Sequence, residues 1–174
     1  MVHNGSKVIV MPSRALATVR SIERDSSPSN SAKAGDNVAV SLSGIDPIHL
    51  MTGCVLCHPD FPVAMATKLE LKILVLDISM PIIAGSQIEF YVHHVKEAAR
   101  VVRIVSFVGP ENWEDLQKPP QGSSNPSKVD LDAAVCVEEF ARCKALGRVF
   151  LRSLGNTVAV GIVTKVLEPK LGPG

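Results

Sequence analysis

The hexapeptide "KLELKI" at 68–73 alternates without a fault: Leu69, Leu71 and Ile73 fall on one side of an extended chain, Lys68, Glu70 and Lys72 on the other. Successive side chains of a strand point to opposite faces, so this period of two specifies a half-buried strand with one wet face. A helix cannot use the pattern, because its 3.6-residue period would carry the charged residues round into the core. The same alternation, kept less strictly, recurs at 7–11, 17–23, 37–43, 88–95, 99–108, 132–140, 147–154 and 157–167, where Val, Ile, Leu and Phe dominate. Turn residues such as "AGDN", "SGIDP" and "PIIAG" separate the segments. No long stretch keeps the helical period, so the sequence predicts an all-β chain of short strands folded as a sandwich or barrel.

Two polar interruptions, "RDSSPSNSAKAGD" (24–36) and "GPENWEDLQKPPQGSSNPSKVD" (109–130), read as surface loops. The second holds Trp113, the only tryptophan, as a local apolar anchor or a solvated side chain. Pro59 and Pro62 bracket Asp60 and Phe61 just before the alternating hexapeptide and stiffen the chain there, which predicts a domain boundary near residue 60. A chain of 174 residues suits one ordinary domain or two small ones, and a 46% hydrophobic fraction is ample for a core. No apolar run approaches the roughly 20 residues of a membrane helix. The formal net charge of +1 gives no whole-molecule field toward nucleic acid or an anionic membrane, so a polyanion would have to meet a local cluster. The N-terminal "MVHNGSKVIVMPS" lacks the pattern of a secretory leader, so a cytoplasmic, reducing setting with four free thiols is expected.

Several chemistries have no residues to carry them. There is no GxxxxGK[ST] phosphate loop and no GxGxxG turn, so nucleotide hydrolysis by these residues is not expected. GxSxG and HExxH are missing too. Glu138 and Glu139, like His93 and His94, are adjacent in predicted strands and should therefore point to opposite faces rather than act as pairs. "GCVLCH" places Cys54, Cys57 and His58 in a CxxCH pattern. Zinc would need further ligands, and the six residues between Cys136 and Cys143 do not match the usual short hooks. Haem attachment calls for an oxidising compartment and an axial ligand that the sequence does not suggest. Cys54 and Cys57 read as the end of a strand leading into the linker. A metal or redox protein using Cys54, Cys57 and His58 stays open as an alternative of another class.

In order along the chain, "AGDNVAVSLSGIDPIHLMTGCVLCHPDFPV", "ATKLELKILVLDISMPIIAGSQIEFYVHHVKEAARVVRI" and "ALGRVFLRSLGNTVAVGIVTKV" resemble the second and third domains of the translational GTPases related to elongation factor 1-alpha and EF-Tu. The resemblance covers about residues 7–168. Its most specific parts are the GDNV turn (Gly35, Asp36, Asn37, Val38), the LGRxxxR segment (Leu146, Gly147, Arg148, Arg152) and the TVAxG strand (Thr157, Val158, Ala159, Gly161). Elongation factor 1-alpha follows its GRF motif with "RD". Here Arg152 is followed by Ser153, Leu154, Gly155 and Asn156, and "SGID...GCVLC" looks more like the Hbs-type ribosome-rescue factors and, less closely, release factor three.

The resemblance implies two small antiparallel β-barrels in tandem. Residues 1–60 would form part of a domain 2 barrel lacking its first strands, 61–168 a domain 3 barrel, and 169–174 a tail. It implies no catalysis by these residues, with GTP and magnesium belonging to the family's GTPase domain. The implied role is a binding module that grips a Pelota-type tRNA-mimicking factor and the ribosome in ribosome rescue and mRNA surveillance. Relatives grip aminoacyl-tRNA or a class-one release factor instead, and tRNA-binding barrels of an elongation factor are the alternative within translation. The implied partner surface is the strand Gly147, Arg148, Val149, Phe150, Leu151 and Arg152, in which Arg148, Phe150 and Arg152 share a face. Val149 stands where the family has Phe. Lys96, Arg100 and Arg103 form a modest basic cluster that an RNA-facing surface would use.

Overall fold

The structure is a computed structural model, and it describes residues 1–76, 82–103 and 127–167. Trp113 and most of the 109–130 segment lie outside the described residues. Nearly all of the described elements are strands. The chain forms two compact units, Met1–Val63 and the remainder from Ala64.

In the first unit β1 (Val2–His3) pairs with β5 (Ser31–Ala32), while β2 (Lys7–Met11), β3 (Ala15–Arg24), β4 (Ser27–Ser29), β6 (Ala39–Ser43) and β7 (Val55–Cys57) make a second, open sheet. The long β3 organises that sheet. Its first half pairs with β2 and its second half with β4, while β6 runs along it from Thr18 to Glu23. Val8, Ala17, Val19, Ile22 and Ala32 form the buried cluster. The 24–36 segment, expected to be a loop, contains β4 and β5. Its Ser- and Asn-rich composition hides them because they are only three and two residues long and lie at sheet margins.

The second unit is a closed barrel of six antiparallel strands: β8 (Met65–Val75), β9 (Gln87–Val92), β10 (Val95–Arg103), β11 (Ser127–Cys136), β12 (Arg148–Ser153) and β13 (Asn156–Val166). Going round, the order is β10, β11, β8, β13, β12, β9 and back to β10. Closure leaves none of the six as an unpaired edge. Leu69, Leu71 and Ile73 of the alternating hexapeptide point inward and meet Phe90, Val92, Val101, Val129, Val149 and Leu151, all buried. Gly161 lies opposite Ile73, and a Cβ there would fall 2.7 Å from the Lys72 carbonyl oxygen, so the TVAxG glycine lets β13 close on β8.

Four expectations need correction. The 88–95 segment is not one strand: β9 ends at Val92 and β10 begins at Val95, a hairpin whose two-residue turn is His93–His94. His93 takes a left-handed φ of 41°, so the opposite-face argument for this pair fails. No Gly, Asn or Asp announced the turn. The 132–140 strand is shifted, beginning at Ser127 inside the expected loop and ending at Cys136. Glu138 and Glu139 therefore leave the sheet, and they precede a four-residue helix, α1 (Lys144–Gly147).

Candidate functional site

The outer wall of the barrel across β10, β9 and β12 gathers the chemistry-bearing side chains. Register fixes the rows. Lys96 lies opposite Tyr91 and Tyr91 opposite Phe150, while one step along Ala98, Glu89 and Arg152 are in line. Cross-strand neighbours lie close enough for side chains to touch, so each row is a chemical unit.

Of the six residues expected on the partner strand, three look outward. Arg148 is exposed, Phe150 is 44% exposed and Arg152 is half-buried, whereas Gly147, Val149 and Leu151 are buried and belong to the barrel's structure. A Cβ on Gly147 would lie 2.5 Å from the Cα and the N of Phe140, so this glycine permits the backbone crossing that launches β12. Val149 fills its place in the core completely, at 0% exposure.

Glu89 organises the outer face. Its Oε1 is 2.7 Å from Lys96 Nζ, and its Oε2 accepts a hydrogen bond from the Tyr91 hydroxyl at 3.3 Å. The Lys96 ammonium bonded to it is the main reason its carboxyl lies below the usual range, with lesser help from Tyr91 and Arg152. Lys96 is raised in turn, first by its bond to Glu89 and then by Tyr91. The Tyr91 ring sits between two cations, with Lys96 Nζ 5.7 Å and Arg152 Cζ 5.5 Å from its centroid. Such cation–π contacts hold an aromatic ring at a fixed pose on a surface. Arg152 Nη2 also donates to the Gly155 carbonyl in the turn joining β12 to β13, while Arg152 Nε is buried with no acceptor among the described residues. Arg148 Cζ lies 6.0 Å from the Phe140 ring centroid.

Lys96, Arg100 and Arg103 all reach the outside of β10. Strict alternation would turn Arg103 inward, but the register shifts between Val101 and Arg103 and returns it to the outer face opposite Lys128. Lys96 is committed to Glu89, and Arg100 lies opposite Asp130. β9 thus joins the two sets of candidate residues, 147–152 and 96, 100 and 103, on one wall. Sequence reasoning missed Glu89 and Tyr91. The available signal was the alternation of "QIEFYV", which puts both on the wet face beside buried Ile88, Phe90 and Val92.

Cys54 and Cys57 are elsewhere, in the first unit. Cys57 ends β7, and Cys54 lies just before it. Cys54 Sγ accepts from the Met51 N–H at 3.2 Å, and Cys57 Sγ accepts from the Val63 N–H at 3.4 Å. His58 Nδ1 accepts from the Asp60 N–H at 3.2 Å and its ring packs near Phe61. Burial pushes the Cys57 thiol up, partly offset by the Val63 hydrogen bond. No group of three or more His, Cys, Asp or Glu able to hold a metal ion occurs among the described residues.

A family profile described as "GTP-eEF1A C-terminal domain-like" matches residues 68–164. Among individual relatives, the chain is 32% identical over 164 residues to Protein HBS1 of Drosophila melanogaster, covering 92% of this chain and 24% of that protein. It is 31% identical over 171 residues to elongation factor 1-alpha of Metallosphaera sedula, covering 96% of this chain and 39% of the relative. Among solved structures, sup35 complexed with GDP superimposes with a TM-score of 0.78 at 25% identity, covering 96% of this chain and 42% of that one. The chain therefore spans between about a quarter and two fifths of the length of these proteins.

Proposed function

The chain belongs to the GTP-eEF1A C-terminal domain-like family of translational GTPases, and from that membership we propose that it is the gripping module of an Hbs-like factor. Its partner on this reading is a Pelota-type protein that imitates tRNA, held at the ribosome during ribosome rescue and mRNA surveillance in the cytoplasm. The module contributes recognition rather than nucleotide chemistry, since the chain has no phosphate-loop motif. GTP and magnesium would be handled by the family's GTPase domain.

The observation that supports the reading is the outer face of β12, where Arg148, half-exposed Phe150 and Arg152 stand in a row beside Tyr91. Aromatic and Arg side chains on a rigid strand are the composition of interface hot spots, because they bring large contact area and directional donors at low entropic cost. Arg152 Nε is a buried donor with no acceptor among the described residues, and a partner's carbonyl or carboxylate would meet it once the side chain turns outward. Glu89 beside these cations favours a protein surface over a continuous phosphate backbone, which it would repel.

The test is a titration of the isotope-labelled chain with the Pelota-type factor, beside an Arg148→Ala, Arg152→Ala variant. Amide shifts centred on 147–152 and a loss of at least about tenfold in affinity, about 1.4 kcal/mol, are expected for the variant. A folded wild-type chain that leaves the factor unbound overturns the proposal and makes tRNA and a class-one release factor the next ligands to try.

A further inference from the structure

We propose that the hollow between the His93–His94 turn, α1 and β12 is a carboxylate subsite, built to receive an Asp or Glu side chain of the protein that covers Phe150. It rests on the reading of β12 as a protein-gripping strand and adds the chemistry that the grip selects. The hollow is about 370 Å³ and is lined by His93, Lys144, Ala145, Arg148 and Phe150. That volume lies at the small end of ligand pockets, so it admits an acidic side chain with room to spare and no folded ligand.

The lining is cationic. Lys144 and Arg148 have no anionic partner among the described residues, and the carboxylate of Glu138, the residue whose amide bonds to the Leu146 carbonyl beside them, is already taken up by Arg142 at 3.7 Å. Arg148 Cζ lies 6.0 Å from the Phe140 ring centroid, a cation–π contact that uses none of the guanidinium N–H donors. His93 Nε2 is 2.9 Å from the Cys136 carbonyl oxygen and must donate to it, so the imidazole is anchored as a wall. Phe150 supplies an apolar rim that sheds water when a partner lands, and exclusion of water strengthens a charge-assisted hydrogen bond.

Carboxylate is favoured over a nucleic-acid phosphate by what surrounds the hollow. A phosphate backbone needs a track of free cations, yet on this wall Lys96 is paired with Glu89, Arg152 shares the field of that same carboxylate and donates to the Gly155 carbonyl, and the whole chain carries a net charge of only +1. Two cations with no anionic partner among the described residues, closing on one aromatic-rimmed hollow, match a single acidic side chain.

The full labelled chain is titrated with acetate at constant ionic strength while amide spectra are recorded, beside a Lys144→Ala, Arg148→Ala variant and an Arg100→Ala control. Saturating shifts at residues 93 and 144–148 that vanish in the double variant and persist in the control are expected. Weak, non-saturating shifts spread over exposed lysines overturn the subsite. A short single-stranded RNA shifting the same residues where acetate does not overturns the carboxylate assignment in favour of phosphate. In the second arm Lys144→Ala, whose side chain lies off β12, weakens the Pelota-type factor about tenfold without changing the fold. Equal affinity of that variant and the wild type overturns the subsite and leaves the grip standing. Saturable acetate binding by a chain that ignores the factor supports the subsite and counts against the grip.

Discussion

Lys96 Nζ lies 2.7 Å from Glu89 Oε1 although the two residues are not direct cross-strand partners: Lys96 faces Tyr91 and Glu89 faces Ala98. The ion pair therefore runs diagonally across the β9–β10 hairpin and over the Tyr91 ring, whose hydroxyl takes the other carboxylate oxygen. Two side chains, Lys96 and Tyr91, are fixed by one carboxylate, and the pose of Tyr91 beside Phe150 depends on it.

This geometry predicts how the face responds to pH. Glu89 is held below its ordinary value by Lys96, so its contribution is present above the unfolded carboxylate range and is lost as pH falls through the lowered folded value. Lys96 is raised by Glu89, so its contribution is present below the ordinary lysine range and is lost as pH rises through the raised value. The pair should stay intact at neutrality and open only at the two extremes. Carbon-detected titration of the Glu89 carboxyl should give a midpoint below those of unpaired glutamates, and Lys96→Met should move it up. An unmoved midpoint in that variant would refute the pairing.

Gly147→Ala should destabilise the barrel by about 1–3 kcal/mol, the cost of forcing an atom into a packed site. The added Cβ meets backbone atoms of Phe140 at 2.5 Å and the Glu138 carbonyl at 2.8 Å, which cannot swing aside as a side chain would. Gly155→Ala is the matched comparison. It has φ of 82° with nothing within 4 Å of the new atom, so only the left-handed backbone penalty of about 1–2 kcal/mol applies. Urea unfolding of both variants measures the difference. Equal midpoints for Gly147→Ala and wild type would show that β12 does not cross Phe140 this closely.

Adjacent residues of β12 should separate stability from binding. Leu151 is fully buried, so Leu151→Ala should cost about 2–5 kcal/mol through the cavity it leaves. Phe150, outward and 44% exposed, should change the melting temperature little when replaced by Ala. If the face is the partner surface, Phe150→Ala should instead weaken the Pelota-type factor by more than about tenfold, as loss of a central aromatic does. Calorimetry and a binding titration on the same two proteins check both halves.

How much of this was legible depends on whether a feature is local. The inward set Leu69, Leu71 and Ile73 and the outward set Arg148, Phe150 and Arg152 follow from alternation alone, and both appear in the barrel. The His93–His94 turn was not legible, because a histidine held at positive φ by the pairing of Val92 with Val95 leaves no compositional mark. The Glu89, Tyr91 and Lys96 cluster depends on the register between β9 and β10, which that turn sets. Arg103 reaches the outer face only through a bulge whose extra residue looks like any other valine. Residues were thus assigned to faces correctly where the period was unbroken, and neighbours across strands were out of reach.

The remaining prediction concerns the CxxCH segment. A working redox or metal-binding thiol needs an accessible thiolate, and acidic, exposed cysteines supply it. Cys57 runs the other way: burial raises its pKa, and its sulfur already accepts the Val63 N–H. In the folded chain at mildly alkaline pH, iodoacetamide should therefore modify Cys57 more slowly than it does in urea, where the burial and the hydrogen bond are both gone. The raised value also means that this thiol stabilises the fold below its unfolded pKa and that the contribution is lost as pH rises through the folded one. Mass spectrometry of peptides after brief alkylation reads the rate at this residue directly. Equal rates in both states would show a sulfur open to solvent and revive the metal and redox alternatives. Slow modification in the folded chain, with no zinc retained on purification, would leave Cys57 as a packed strand end whose spacing from Cys54 carries no chemistry.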